Sequence, residues 1–477
     1  MFTGIIGTDK CVKDVNERSF FMRIKPVSLI VILFASITGP FGQISVLAAT
    51  RPNVVLIMCD DMGYEGVSVY GSSTYDTPNL DGLAKSGLYF KHAYSTPICT
   101  PSRVQIMTGK YNFRNYVKFG LLDASQKTFA NYLQEVGYET AICGKWQLGG
   151  DSSTVRKFGF STHCLWHLDG RDSRYWNPRI SRDGELLENL DKSFGPDVMT
   201  DFACDFIQQD RDNPFLLYFP MSLPHWPFVP TPDSDQGGSR DRSGKYDGRA
   251  GGEEYFPDMV NYLDKLTGRI VRALETSKQL ENTLIIFTCD NGCAINITSE
   301  MKGRKIKGGK ASLPDNGTHV AMIAHWPAKF SKGVDKSTLV DFTDILPTLC
   351  DVAGVESKEV VTDGHSLLPL FNGTGSSGRE WVYCHYIRNG FPSRPQDQMK
   401  QSEIRKKQDK LIEQKMAGAF ARTARYKLYA DGRFYDIQRD VEERQELTNV
   451  EGKQLEIRKE LQRVHDRMPK WAYFAQP

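Results

Sequence analysis

The chain alternates short, continuous apolar runs with segments whose apolar side chains recur at helical spacing. The apolar runs are typical of strands buried on both faces, and they occupy residues 53–59, 138–143, 214–219 and 283–289. The helical segments occupy residues 78–87, 128–137, 197–208 and 255–276. This strand–helix alternation is a βαβ pattern, so it predicts an α/β fold with a mostly parallel sheet. Residues 320–327 and 343–350 complete the predicted core.

Composition changes near residues 372–378, which are rich in Gly and Ser and predict a domain seam. Beyond it, short strand-like segments and a charged helix from about 451 to 468 predict a small α+β subdomain with an antiparallel sheet. We therefore divide the chain into a leader (1–48), a large domain (49–375) and a C-terminal subdomain (376–477). Residues 151–200 are expected to form an irregular aromatic insertion over the site, and residues 302–310 a loop.

The first 48 residues have the pattern of a secretory signal peptide. A basic segment, Met22–Lys25, precedes an apolar run at 27–37 and a small-residue exit at 46–49. The run of about 11 residues is shorter than the ~20 needed to span a bilayer, so no transmembrane segment is expected in the mature chain. Met22 is the candidate start. The pattern predicts export to the periplasm or the extracellular space.

Charge and cysteine content exclude several classes of function. Lys and Arg number 60 and Asp and Glu 58, so a net charge of +2 favours neither nucleic acid nor an acidic membrane surface as a partner. Ten cysteines in 477 residues are too sparse for a disulfide scaffold. Cys289 and Cys293 lack a second pair at zinc-finger spacing, so they do not predict a zinc site.

Two of the apolar runs end in oxygen-bearing side chains. Asp60 and Asp61 follow the first run, and Asp290 and Asn291 follow the run at 283–289. Open α/β sheets bind ligands at the carboxyl ends of their strands, and oxygen ligands suit Ca²⁺ or Mg²⁺ better than zinc. These residues are therefore candidate metal ligands, although an ordinary Asp-rich turn beside Gly63 is the alternative.

A candidate nucleophile lies in the segment Cys99-Thr-Pro-Ser-Arg103. Pro101 suits the first turn of a helix, where free N–H groups and the dipole favour an anion. Arg103 adds a forked cation. In the alternative interpretation, Cys99 is only a loop residue before a helix at 104–109.

Further cations follow other predicted strands. Lys145, His225 and Lys310 each lie in a loop, where any one of them alone could be an ordinary surface residue. Together with Arg103 they would surround a tetrahedral anion with hydrogen-bond donors, as the transfer of sulfate or phosphate requires.

Cys99-Thr-Pro-Ser-Arg103 with Thr108-Gly109 resembles the signature of the type I, formylglycine-dependent sulfatases of the alkaline phosphatase-like superfamily. The resemblance runs in order from about residue 51 to 450. Its other motifs are Asn53–Gly63, Gly144-Lys-Trp-Gln-Leu-Gly149, Pro224-His-Trp-Pro227, Thr288–Gly292, Gly308-Gly-Lys310, Asp363–Pro369, Tyr426–Leu428 and Tyr435-Asp436.

The resemblance implies an alkaline phosphatase-like fold, a large mixed sheet between helices with a small C-terminal subdomain, and hydrolysis of sulfate esters. It implies that a maturation enzyme oxidises Cys99 to formylglycine (3-oxoalanine), whose hydrate attacks sulfur. In the implied site, a formylglycine oxygen from position 99 helps to hold Ca²⁺, in preference to Mg²⁺, together with Asp60, Asp61, Asp290 and Asn291. The hydrate and the sulfate are stabilised by Arg103 and Lys145. The sulfate is also bound by His225 and Lys310, which protonate the leaving alcohol.

The chain departs from the family pattern at two places. Gln147 stands where the GKWHLG motif has a histidine that acts as a base, and an amide is not a base at ordinary pH. His167 and His92 are possible substitutes, and Gln147 could instead contact substrate. After Lys310, the usual run of small and acidic residues is replaced by residues 311–317, which makes the local loop geometry less certain.

Two other functions stay open from the sequence. One is a phosphomonoester or phosphonate hydrolase of the same superfamily, and the other is a silent binder of sulfated glycans in which Cys99 is never oxidised. The aromatic residues Trp166, Tyr175 and Trp176 fit a platform for a sulfated carbohydrate, and they fit core positions equally well. The expected substrate is a sulfated small molecule or glycan.

Overall fold

The first apolar run forms strand β1 (Asn53–Cys59), which lies between two parallel neighbours inside a large mixed sheet. The computed structural model describes residues 51–168, 170, 173–234, 252–330, 333–387, 410 and 413–469. The predicted signal peptide in residues 1–48 lies outside these residues.

The strands after β1 are β2 (Leu88–Tyr94), β3 (Glu139–Lys145), β4 (Thr162–Trp166), β5 (Ile180–Arg182), β6 (Glu185–Leu186), β7 (Phe215–Pro220), β8 (Thr283–Cys289), β9 (Thr298–Met301), β10 (Arg304–Lys307), β11 (His319–Val320), β12 (Met322–His325), β13 (Gly333–Asp341), β14 (Val382–Tyr386), β15 (Gly418–Arg422), β16 (Tyr426–Tyr429) and β17 (Phe434–Asp436). The α-helices are α1 (Pro78–Ser86), α2 (Cys99–Thr108), α3 (Asn112–Asn115), α4 (Phe129–Glu135), α5 (Ser152–Lys157), α6 (Gly195–Gln208), α7 (Phe256–Thr276), α8 (Asp315–Thr318), α9 (Ile345–Ala353), α10 (Leu368–Phe371) and α11 (Gly452–Arg467).

The centre of the main sheet is parallel. Strands β8, β1, β7, β3 and β4 are successive parallel neighbours, and β12, β2 and β13 continue the sheet beyond β8. Strand β2 is antiparallel to β12, which is antiparallel to β8, so β2 and β8 run the same way. The carboxyl ends of all these parallel strands therefore meet at one edge. The predicted α/β fold with a mostly parallel sheet is confirmed.

Apolar packing explains why these segments form strands and helices. Strand β8 is buried along its whole length, as is β7. Helix α7 buries one face, and α4 begins with a capping box in which the Thr128 side chain accepts from the amides of Ala130 and Asn131. Among the described residues, no helix is long and apolar enough to span a bilayer.

Two segments differ from their sequence-based predictions. Residues 151–200 are not an irregular insertion, because β4, β5 and β6 extend the main sheet on the β3 side. Residues 302–310 are not wholly a loop, because β9 and β10 form an antiparallel hairpin. These strands have two to five residues, so they are too short to show a clear period of two in the sequence.

The C-terminal part contains the predicted antiparallel sheet. Strands β14, β15, β16 and β17 pair in that order, and α11 packs on the sheet through Leu461 and Val464. Its buried Lys427 donates a hydrogen bond to the carbonyl of Leu313 at 2.6 Å. The C-terminal sheet therefore contacts the loop that follows Lys310. The domain boundary at residues 375–376 stays a prediction.

Candidate active site

The ends of β1 and β8 place two pairs of oxygen-bearing side chains next to each other. The strands are parallel neighbours paired up to their last residues, so Asp60 and Asp61 leave the sheet beside Asp290 and Asn291. The Asp61 amide donates to Asp290 Oδ1 at 3.0 Å, and Asn291 Nδ2 donates to Asp61 Oδ1 at 3.0 Å. All four side chains are buried.

This cluster contains buried oxygens that have no hydrogen-bond partner among the described residues. They are Asp60 Oδ1 and Asn291 Oδ1. Buried polar atoms are normally paired, and carboxylate and amide oxygens are the ligands that Ca²⁺ and Mg²⁺ prefer. Burial and the neighbouring Asp60 carboxylate raise the pKa of Asp290 well above its usual range. The donor set therefore fits a hard divalent cation, which would stabilise the adjacent carboxylates.

Cys99 is the first residue of α2 and is buried. Its Sγ, a carboxylate oxygen of Asp60 and one of Asp290 all lie within 4.8 Å of one another. Sγ donates a hydrogen bond to Gln147 Oε1 at 3.6 Å. Burial raises the pKa of the Cys99 thiol, although Lys145 and Lys310 oppose the shift. The unmodified residue is therefore a poor thiolate nucleophile.

Two buried cations lie between helix α2 and the cluster of Asp60, Asp61, Asp290 and Asn291. Arg103, one helical turn after Cys99, donates from Nη1 to the Lys145 carbonyl at 3.1 Å and from Nη2 to Asp290 Oδ2 at 3.3 Å. Lys145 Nζ donates to Asp60 Oδ2 at 2.7 Å. Burial alone would raise the pKa of Asp60, but the charged groups of Lys145 and Arg103 outweigh it and hold that pKa well below its usual value.

A glycine permits the close approach that brings Lys145 to this cluster. Gly144 has a φ of 122°, and a Cβ there would lie 2.1 Å from the carbonyl oxygen of Pro220. Only glycine tolerates both conditions without strain.

His225 and Lys310 meet on the other side of Asp61. Lys310 Nζ pairs with Asp61 Oδ2 and lies 3.1 Å from His225 Nε2, which is itself 3.4 Å from Asp61 Oδ2. Burial lowers the pKa of His225 to about 3, so the ring is neutral. Its Nδ1 faces the Trp226 carbonyl, which only accepts. We therefore assign the proton to Nδ1 and the acceptor role to Nε2, which receives the Lys310 hydrogen bond.

The contacts above link every candidate residue into one site, whose members are Asp60, Asp61, Cys99, Arg103, Lys145, Gln147, His225, Asp290, Asn291 and Lys310. The loop after Lys310 departs from the family pattern, yet the Lys310 ammonium group lies in this site. Its Ala311 adopts a φ of 67° and donates to the Pro97 carbonyl at 2.6 Å, two residues before Cys99.

A family model for the sulfatases matches residues 52–355, which is well over half of the chain. The chain belongs to the sulfatase family. It is therefore an enzyme that hydrolyses sulfate esters. A second model, described as the C-terminal part of N-sulphoglucosamine sulphohydrolase, matches residues 310–470 of this sulfatase.

Similar proteins include several named sulfatases. Human arylsulfatase A is 30% identical over 389 residues, which cover 71% of each chain. N-acetylgalactosamine-6-sulfatase from Canis lupus familiaris is 29% identical over 393 residues, 74% of this chain and 72% of the relative. Among solved structures, Ps i-CgsB in complex with k-i-k-neocarrahexaose has a TM-score of 0.69 at 24% identity and covers 88% of this chain and 92% of its own. These similarities confirm the alkaline phosphatase-like fold.

The possible substitutes for the family histidine, His92 and His167, have different surroundings in this sulfatase. His92 is on β2, with Nδ1 at 3.3 Å from Tyr94 Oη and its ring stacked 6.5 Å from His319, and burial lowers its pKa to about 4. The His167 ring packs against Trp166 at 5.0 Å. These contacts do not select either ring as the base for position 99.

The sequence-based reasoning missed one residue of the site. Arg174 lies with Nη1 3.6 Å from Asp60 Oδ2, and its guanidinium stacks 4.0 Å above the Trp166 ring. The sequence feature that could have revealed Arg174 is its position directly before the aromatic residues Tyr175 and Trp176. Trp166, Tyr175 and Trp176 are themselves buried core residues, which leaves them no exposed face for a sugar.

Proposed function

We propose that this sulfatase removes sulfate from a sulfated carbohydrate after Cys99 has been oxidised to formylglycine by a maturation enzyme. The observation that carries the proposal is that Cys99 Sγ and one carboxylate oxygen each of Asp60 and Asp290 lie within 4.8 Å of one another. The side chains of Arg103 and Lys145 contact these carboxylates. A formylglycine would supply the hydroxyl groups of a hydrated aldehyde at position 99, where burial keeps the unmodified thiol protonated and a poor nucleophile.

Asp60, Asp61, Asp290 and Asn291 are the residues that would hold the divalent metal ion. We propose Ca²⁺, because the buried oxygens form an all-oxygen donor set and Ca²⁺ accepts irregular geometry more readily than Mg²⁺. When bound, the ion would supply positive charge beside position 99. An oxygen of the modified residue 99 would complete the ligand set.

The cations of the chain bind and orient the sulfate. Arg103 and Lys145 are fixed by burial and by their carboxylate partners, so they offer charge without reorganisation. Burial lowers the pKa of His225, so its ring is neutral and its Nε2 carries no proton. Asp61 raises the pKa of Lys310 despite the burial of that lysine, so Lys310 stays protonated. Lys310 is therefore the proposed proton source for the leaving oxygen, and His225 orients it.

A sulfated carbohydrate is the proposed substrate class. One relative is named N-acetylgalactosamine-6-sulfatase, and one neighbour of similar fold, with a TM-score of 0.66, was solved with D-glucosamine-2-N,6-O-disulfate. The signal-like pattern of residues 22–49 supports export to the periplasm or beyond, where such glycans occur.

The first test is mass spectrometry of the tryptic peptide His92–Arg103 from protein made in its own host. An aldehyde at position 99 supports the proposal, and a plain thiol in active protein contradicts it. Rates on 4-nitrophenyl sulfate and 4-nitrophenyl phosphate then separate a sulfatase from a phosphomonoesterase. Cys99→Ala should lower the sulfatase rate at least about 10³-fold, as expected when a nucleophile is removed.

A further inference from the structure

We propose that Arg174 is a substrate-binding residue of this sulfatase, and that its guanidinium binds an oxyanion of the substrate beside Lys145. The proposal deepens the proposed function and rests on it. The oxyanion is either the sulfate that is transferred or a second sulfate or carboxylate on the same sugar.

The position of Arg174 is the first argument. Its Nη1 and the Nζ of Lys145 both approach Asp60 Oδ2, at 3.6 and 2.7 Å. Both cations therefore lie beside the same carboxylate oxygen. If Oδ1 of Asp60, which has no hydrogen-bond partner among the described residues, held a metal ion, the ion would compensate part of the carboxylate charge, and the two cations could then interact with an incoming anion.

The second argument is that Arg174 has an unused donor. At 3.6 Å its contact with Asp60 is an ion pair but is longer than a hydrogen bond. Nη1 is buried and has no hydrogen-bond partner among the described residues, and the side chain is only 11% exposed. Buried guanidinium donors are expensive to leave unpaired. An oxyanion in the pocket would satisfy this donor.

The third argument is that the chain holds Arg174 in place. Trp166, the last residue of β4, lies 4.0 Å below the guanidinium and is itself 3% exposed, so it fixes the plane of the fork. The next residue, Tyr175, donates from its hydroxyl to the Ser222 carbonyl at 2.8 Å, in the segment that leads to His225. Arg174 is thereby held directly by Trp166 and indirectly through the hydrogen bond of its neighbour Tyr175.

The charge of the pocket supports an anionic ligand. Arg103, Lys145, Arg174 and Lys310 face the carboxylates of Asp60, Asp61 and Asp290. A divalent cation would add two further positive charges. An anion bound next to Arg174 would balance this excess.

The test measures binding and turnover separately in Arg174→Met and Arg174→Lys. Binding of inorganic sulfate and of D-glucosamine-2-N,6-O-disulfate is followed by calorimetry, and kcat and KM are measured on 4-nitrophenyl sulfate and the disulfated sugar. The matched control is Arg182→Met, which removes an arginine that is solvent-exposed and lies 5.1 Å over the Phe202 ring. Thermal unfolding confirms that each variant is folded.

We expect Arg174→Met to weaken binding of an anionic ligand about 10- to 100-fold, the value of a charge-assisted hydrogen bond, and Arg182→Met to leave binding unchanged. A weaker affinity for inorganic sulfate and a lower kcat/KM on 4-nitrophenyl sulfate identify the transferred sulfate as the ligand. A loss confined to the disulfated sugar identifies a second oxyanion. Arg174→Lys should recover part of the loss, because it restores the charge but not the fork.

The proposal is overturned if folded Arg174→Met matches Arg182→Met in every binding and kinetic measurement. Binding requires no turnover. The calorimetric comparison therefore still tests Arg174 if the wild-type protein hydrolyses neither sulfate ester, an outcome that would refute the proposed function instead.

Discussion

The Sγ of Cys99 lies 3.6 Å from Oε1 of Gln147 and donates its hydrogen bond to that oxygen. Gln147 follows β3 in a left-handed conformation with a φ of 50°, which turns its side chain back toward α2. The amide is therefore placed to accept a hydrogen bond from a group at position 99. It cannot remove a proton from that group at neutral pH.

Gln147→His should keep the enzyme active. The imidazole would occupy the place of the amide and could act as a base near neutral pH, so the pH profile of kcat should gain a limb near pH 6–7. Rates on 4-nitrophenyl sulfate across pH measure this. Gln147→Ala is the control, because it removes the acceptor without supplying a base, and it should lower kcat about 10-fold. Complete loss of activity in Gln147→His would show that the amide has a specific role.

Calcium should stabilise the protein. Asp60, Asp61 and Asp290 are adjacent buried carboxylates, and a cation bound only to the folded state stabilises it by about 2.7 kcal/mol at 100 times its Kd. We expect Ca²⁺ added to chelator-treated protein to raise Tm by several degrees, and Mg²⁺ to raise it less. Asn291→Leu removes the unpaired Oδ1 and should reduce the shift. The absence of any shift with either ion would contradict a metal site here.

The contact between Lys427 and Leu313 should support both stability and activity. The fully buried Lys427 Nζ donates to the Leu313 carbonyl and to Glu443 Oε1 at 2.8 Å. Lys427→Met removes the cation from a buried pair, so we expect a loss of about 3 kcal/mol in the free energy of unfolding. A rise in KM for 4-nitrophenyl sulfate should accompany it, because Leu313 lies three residues beyond Lys310.

Denaturant unfolding and kinetics check the Lys427 prediction. Lys265→Met is the control, since it removes a lysine from the exposed ion pair with Asp233 and should cost less than about 1 kcal/mol. Equal losses in the free energy of unfolding would show that the buried contact contributes no more to stability than the exposed ion pair does.

His385 should make the protein less stable in mild acid. Burial in β14 lowers the pKa of His385 from 6.5 to about 3, so the folded state holds the ring neutral while the unfolded chain protonates it. The stability contributed by the neutral ring is present above about pH 6.5 and is lost as the pH falls toward 3. At pH 5 the loss should be about 2 kcal/mol.

The comparison that isolates His385 is His385→Gln, which keeps a neutral polar side chain at every pH. Urea unfolding at pH 7 and pH 5 should show a smaller drop in stability for the variant than for the wild-type protein. Equal drops would mean that other groups cause the acid sensitivity.

Most residues of the candidate site could be predicted from the sequence. Asp60 and Asp290 directly follow apolar runs, and runs of this kind become parallel strands whose carboxyl ends share an edge. Cys99 could be placed at a helix N-terminus because Pro101 favours the first turn. These signals are local, because a few neighbouring residues decide the strand, its end and the cap.

The sequence alone determined which strand ends and which helix start supply the candidate site residues, because burial patterns and capping residues are properties of consecutive positions. Only the tertiary structure decided that β4, β5 and β6 extend the main sheet, that Arg174 reaches Asp60 across a sequence separation of 114 residues, and that Lys427 contacts the loop after Lys310. Such contacts depend on how distant segments pack. No local period or motif encodes that packing, and short strands have too few residues to reveal it.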